Sequence, residues 1–298
     1  MWSRFLARVA RTAVFAGMMA VLTLSSSAWA DSPPPASPVP ASASPTPAPA
    51  DAAPDPAPHA VNAYGPTTVT TAVLTNVGIP EFEQFWFESS NGPGYTSLRQ
   101  APFLVKYTFN PRWMVNLGGS SWLSQTTPTG TTRAFGDLTP GIKYLIAVPR
   151  NAKMSTQALQ LQVGVPTSNP ALGFTSGHTQ EQLTWFYSQD YGKAHLDVNL
   201  WLTDLTAPDG VRHLQFGQGV GLTVPVNKAG NLLFEGEVHR FGSAGPALPQ
   251  TSYAMGVLYW SVAPQCTLAG GVQLGLGSSA VRQTFIVGVV FLVDGVRK

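Results

Sequence analysis

The chain has 298 residues, only 11% of them charged, and a formal charge of +2, against roughly 25% charged residues in an ordinary soluble domain. After the first thirty residues no run approaches the ~18 consecutive apolar residues of a membrane-spanning helix, and nothing in the charge balance points to nucleic acid. Low charge without such a helix suits alternating strands that turn an apolar face to lipid.

Arg4, Arg8 and Arg11 form a basic start, residues 13–24 an apolar core, and Ala28-Trp29-Ala30 a small-x-small site. This is the pattern of an export signal removed after Ala30. Without those three arginines the formal charge becomes −1. Residues 31–60 contain eleven prolines and nine alanines, too little apolar mass to offset ordering entropy, so an extended spacer is expected. It reads as a plain linker, with a periplasmic partner docking on it as the alternative. Residues 61–79 are a transition that either enters the barrel as a plug or stays in the periplasm. The organisation is thus 1–30 signal peptide, 31–79 linker and transition, and 80–298 barrel.

From Glu81 the pattern predicts twelve strands, near 81–89, 100–109, 112–123, 134–148, 154–165, 180–190, 193–204, 212–225, 229–241, 250–262, 266–276 and 281–293. In 154–165, Leu159, Leu161 and Val163 alternate with Gln160, Gln162 and Gly164, the period of two that separates an apolar from a polar face. In 195–203, Leu196, Val198, Leu200 and Leu202 oppose His195, Asp197, Asn199, Trp201 and Thr203. The last strand sets Phe285, Val287, Val289, Phe291 and Val293 on one face, while Ile286, Val290 and Leu292 blur the other. Most runs are long enough to cross a bilayer at a tilt, about 9–11 residues.

The connections alternate in length. Those near 110–111, 149–153, 191–192, 227–230 and 263–265 are short; those at 90–99, 124–133, 166–179, 205–211 and 242–249 are longer, and only the last connection, around Gly277-Ser278, is short where a long one is expected. Short turns on one side and long loops on the other are the habit of exported barrels. Trp86, Trp113, Trp122, Tyr144, Trp185, Tyr187, Trp201, Tyr259 and Trp260 fall near strand ends or along apolar faces, where interfacial rings belong. Cys266 is the single cysteine, so no disulfide is possible within the chain, and it shares the face of Leu268. The fold class is an all-β, antiparallel up-and-down transmembrane barrel of about twelve strands in the bacterial outer membrane.

Gly136-Asp137 followed by Gly141-x-Lys143-Tyr144, the run VGVPTSNP at 163–170, Val198-Asn199-Leu200, Leu233-Phe234-Glu235-Gly236, Met255-Gly256 and Leu268-x-x-Gly271-x-x-x-Gly275-Leu276 occur in this order. Together they resemble the outer-membrane family named for the meta-pathway of phenol degradation, over residues 80–293. The resemblance implies a barrel whose relatives are described as transporters. Two departures stand out: Gly277-Ser278-Ser279-Ala280 replaces an Asp-rich segment, and the chain ends Gly295-Val296-Arg297-Lys298 rather than on an aromatic.

Glu235, Glu237 and His239 share one face of a strand. They read either as a binding stripe, with Lys106 and Lys143 opposite, or as charge pairs filling a lumen. Gln160, Gln162, His195, Asp197 and Asn199 complete the expected lumen-facing polar set. Two carboxylates and an imidazole could hold a metal, but no second ligand set stands out. Gly217, Gly219 and Gly221 lie at strand spacing with no helix following, so they are not a dinucleotide loop; they leave room for bulky neighbours or a permeant. Ser176-Gly177-His178 reads as a loop fragment, not as part of the Ser-His arrangement that nucleophilic catalysis needs. No cofactor or catalytic residue is expected. The function expected is a channel for small, apolar or aromatic molecules whose identity the residues do not name, with lipid around it. A structural or adhesive barrel, or a barrel-embedded lipid hydrolase, is the alternative.

Overall fold

The computed structural model describes residues 67–92, 95–148, 155–172, 174–175, 177–206, 211–245 and 248–293. The expected signal peptide, the Pro/Ala-rich spacer, the turn at 149–153, Ser176 and the last five residues lie outside them. Strands β1 (Glu81–Gly92), β2 (Tyr95–Asn110), β3 (Trp113–Thr127), β4 (Gly130–Ala134), β5 (Thr139–Ala147) and β6 (Thr156–Gly164) precede a 3-10 turn at Pro170–Leu172. They are followed by β7 (Gln180–Tyr191), β8 (Ala194–Thr206), β9 (Arg212–Pro225), β10 (Leu232–Phe241), β11 (Thr251–Ala263), β12 (Cys266–Gly275) and β13 (Gln283–Leu292).

Pairing is antiparallel throughout the ladder. β1 pairs with β2 and also with β13, from Glu81↔Leu292 to Ser90↔Gln283, so the sheet closes on itself. β4 and β5 both pair with β3, β4 over Leu123–Thr127 and β5 over Trp113–Gly118. They are one wall position interrupted at 135–138, and the barrel has twelve staves. No helix among the described residues is long and apolar enough to span a membrane.

Three expectations change. The strand expected over 134–148 is two pieces, because a crease crosses neighbouring staves. The β2–β3 register slips between Gln100 and Pro102, where proline has no N–H to give the ladder. Polar groups around the crease find other partners: Ser121 Oγ donates to the Ala101 carbonyl at 3.1 Å, Gln84 Nε2 to the Pro102 carbonyl at 3.0 Å, and Gly136 N to the Ser120 carbonyl at 2.8 Å. Asp137 accepts from the backbone N–H groups of Thr167 and Ser168 and ties the break to the segment after β6. The loops expected at 90–99 and 124–133 are largely strand, with pairing continuing to Gly92↔Tyr95 and Thr127↔Gly130. Their Ser, Thr, Asn and Gly residues lack an apolar face, so the period-two signal fades while the hydrogen bonds persist. The short–long contrast therefore loses two of its long members, those at 90–99 and 124–133.

Trp201 and Tyr259 also differ: they point inward and are 5% and 1% exposed. The other rings do sit outside. Trp86 stacks on Trp122 at 5.0 Å, and Trp113 packs against Tyr144 at 4.5 Å.

The wall is inverted relative to a soluble protein. Gln160 is 9% exposed while its neighbour Leu161 is 49% exposed, and the same inversion holds for Asp197 against Leu202 and Glu235 against Phe234. One interior sector is apolar: Phe85, Met255, Val257, Tyr259, Ala269, Ile286 and Val290 form a single cluster. That is why the second face of the last strand reads as blurred, since it fills this sector. A closed ladder inside an exposed apolar belt satisfies every condition a bilayer sets on strands, and the protein is a barrel of the bacterial outer membrane.

The seam that closes the barrel has one tight point. Phe85 lies directly across from Gly288, and a Cβ at Gly288 would stand 1.9 Å from the Phe85 ring. Gly288→Val must therefore displace an inward aromatic at the seam, at a cost of about 1–3 kcal/mol. The temperature at which the folded band converts to the unfolded band on a detergent gel should fall relative to the parent chain. An unchanged conversion temperature would show that the seam tolerates the side chain.

Candidate functional site

Residues 67–79, TTVTTAVLTNVGI, run through the barrel interior. Val69, Thr71 and Ala72 are at most 2% exposed, and Leu74 and Thr75 are buried with them. This segment forms no strand, so its backbone donors need other partners, and wall side chains supply them. Thr68 N and Val69 N donate to the Glu237 carboxylate at 3.3 and 2.9 Å. Ala72 N donates to Ser188 Oγ at 2.6 Å, and Thr71 Oγ1 lies 3.0 Å from the same hydroxyl. Lys143 Nζ donates to the Thr71 carbonyl. Lower down, Thr75 Oγ1 meets Thr108 Oγ1 at 2.9 Å, and Gly78 N donates to the Thr108 carbonyl as the chain turns into β1.

Apolar contacts hold it as well. Ala72 and Leu74 pack with Met114, Leu145, Ala158 and Phe186. Val69 sits over the glycines of β9: a Cβ at Gly219 would stand 2.5 Å from Val69 Cγ2 and 2.8 Å from the Trp201 ring. Of the two uses the glycine spacing left open, room for bulky neighbours is the one filled. Full burial of a Val or Leu side chain is worth about 1.5–3 kcal/mol, so Val69 and Leu74 together outweigh any single hydrogen bond in the segment.

Of the polar residues singled out from the sequence, Lys106, Lys143, Gln160, Asp197, Asn199, Glu235, Glu237 and His239 are buried, and Gln162 and His195 are half-buried. Neither lysine that the binding-stripe reading set opposite Glu235 and Glu237 bonds to them among the described residues. Lys106 bonds Glu81 at 3.0 Å and also Glu83, both on the adjacent stave. Glu235 accepts from the Tyr259 hydroxyl at 2.8 Å. Glu237 lies 2.9 Å from His239 Nδ1 besides holding the plug. Asp197 accepts from Ser188 and lies 3.2 Å from His195 Nε2, while His195 Nδ1 lies 2.7 Å from Asp190. Asn199 is fully buried, with both amide atoms lacking a partner among the described residues. Gln160 lies directly across the ladder from Lys143, and Gln162 from Gly141.

Ser188, Asp197 and His195 are close together but in the wrong order for acyl transfer. The carboxylate stands between the hydroxyl and the imidazole, whereas a relay needs the imidazole in the middle. Among the described residues no group of three His, Cys, Asp or Glu side chains is arranged to hold a metal ion. The sequence reading missed Glu81, Glu83 and Ser188 and left open whether residues 61–79 enter the barrel; residues 67–79 lie inside it. Glu81 and Glu83 were legible, since EFEQF alternates; the plug was not, because a side-chain-bonded segment has no period.

Beside the plug a cavity of about 330 Å³ remains. Its floor is threonine from the plug, its polar wall includes the Glu83–Lys106 pair, Asn116, Lys143, Gln160, Gln162 and Gln182, and its apolar wall includes Phe85, Phe103, Phe186 and Trp201.

No family model matches this sequence, and no curated protein matches it. Among solved structures the chain is similar to the COG4313 outer membrane channel from Pseudomonas putida F1, with 13% identity and a TM-score of 0.57 over 74% of this chain and 97% of that one. It is also similar to the NanC porin, with 11% identity and a TM-score of 0.50 over 71% of this chain and 98% of that one. At such identities the likeness is one of fold: a closed outer-membrane β-barrel.

Replacing Lys106 by Met leaves Glu81 and Glu83 buried without their counter-charge. Breaking a buried pair in this way costs about 3–5 kcal/mol. Denaturant unfolding of the detergent-solubilised protein should show a loss of that order, and a loss below about 1 kcal/mol would mean that the Lys106 contacts add little to stability.

Proposed function

We propose that this protein is an outer-membrane channel for small, apolar or aromatic molecules, closed at rest by residues 67–79. The observation that carries the proposal is a cavity of about 330 Å³, lined by both aromatic and polar groups, lying against a segment that fills the rest of the lumen. A twelve-stranded wall is narrower than the 16–18-stranded porins that hold an open aqueous channel, so selective passage suits it better than bulk diffusion. The ordered motifs that resemble the phenol meta-pathway family support the same reading, and the two similar solved structures are described as a channel and a porin.

A purely structural barrel has no use for a lumen cavity with mixed lining, and the Ser188–Asp197–His195 order gives a hydrolase no relay. A periplasmic partner of the Pro/Ala-rich spacer is compatible with the channel reading, because the plug follows that spacer in the sequence.

Deleting residues 67–79 while keeping the export signal should raise single-channel conductance in planar bilayers several-fold. Glu237→Gln should give an intermediate result, a barrel that flickers open, because it weakens two charge-assisted bonds worth about 1.5–3 kcal/mol each. Equal conductance in all three proteins would mean that the segment does not close the pore.

A further inference from the structure

From the geometry of the cavity we infer that it binds a small monocarboxylate with an apolar or aromatic body, anchored on Lys143; this rests on the channel reading above. The two lumen lysines differ in kind. Lys106 is matched by Glu81 and Glu83 on the neighbouring stave. Lys143 is 4% exposed and lines the cavity, yet no carboxylate lies within ion-pairing distance of it among the described residues. Its contacts are the Thr71 carbonyl and the face of the Phe186 ring, 4.0 Å from the ammonium. A buried ammonium held only by a carbonyl and a ring is undercompensated, and an anion entering the cavity supplies the missing charge.

The acidic groups nearby do not compete for it. Asp197 is engaged by Ser188 and His195, and Glu83, the one carboxylate that lines the cavity among the described residues, is bound to Lys106. Around Lys143 the ladder sets Gln160 directly across, with Thr184 on the next stave, so amide and hydroxyl donors flank the position of the carboxylate. Phe85, Leu104 and Phe186 on the remaining wall suit an apolar body. The cavity is at the small end of ligand sites, which favours a single ring over a fatty chain. The carboxylate and the Thr71 carbonyl share one ammonium, so binding weakens a bond that holds the plug.

The test uses the full chain in detergent and three isosteric probes, benzoate, benzyl alcohol and benzylamine, with binding measured by calorimetry. Benzoate should bind saturably and at least about tenfold more tightly than the alcohol, with benzylamine weakest. Lys143→Gln should erase the preference and Lys143→Arg should keep it, both variants retaining the heat-dependent gel shift of a closed barrel. Equal binding of benzoate and benzyl alcohol, tighter binding of benzylamine, or a preference that survives Lys143→Gln overturns the inference. Conductance of the plug-deleted chain separates the two claims: a conducting pore with no benzoate preference rejects the ligand and keeps the channel. Benzoate binding without conductance in any variant keeps the site and rejects the channel.

Discussion

A strand surrounded by hydrocarbon can satisfy its N–H and C=O groups only on another strand. Everything else in this molecule follows from that constraint. It demands closure, which the β1–β13 pairing provides over ten residue pairs, and it removes water from the outer face, so that face must be apolar. The polar half of each strand then has to point inward. The twelve staves enclose a space too wide for wall side chains to fill and too narrow to serve as a large aqueous pore.

The interior is filled in three different ways around the circumference. On the β11–β13 side and β1, apolar side chains pack as in an ordinary core. Along β8 and β10, acids are held by hydroxyls, imidazoles and plug amides. Along β3–β7, amides and one ammonium face open space beside the plug. Only the third arrangement leaves room and an uncompensated charge, and binding belongs there. The acids, which stand out most in the sequence, serve chiefly to hold the protein's own chain.

The plug shows how a segment with no secondary structure can still be specified. Its amides bond to Glu237 and Ser188 in place of a neighbouring strand, and Val69 needs the missing side chain of Gly219. The wall and the segment are complementary by position. The bonds that hold the plug to Glu237, Ser188 and Lys143 run to wall side chains and not to the ladder, so they can break without disturbing it.

The sequence by itself determined the strand count, most strand ends, the inward and outward faces and the all-β membrane class, because period-two alternation is a local consequence of one wet and one oily face. Leu159–Gln160–Leu161–Gln162 carries that information with no reference to any other strand. Local pattern failed where alternation is not the rule: at the crease near Pro102, at strand ends standing clear of lipid, and at Trp201 and Tyr259, whose rings fill the interior. Which carboxylate Lys106 would meet, whether residues 67–79 lie inside the barrel, and that Lys143 would be left facing a cavity were decided only by the tertiary structure. Those outcomes depend on the stagger between distant strands and on how much of the lumen the chain's own segment occupies, and neither quantity has a local signature.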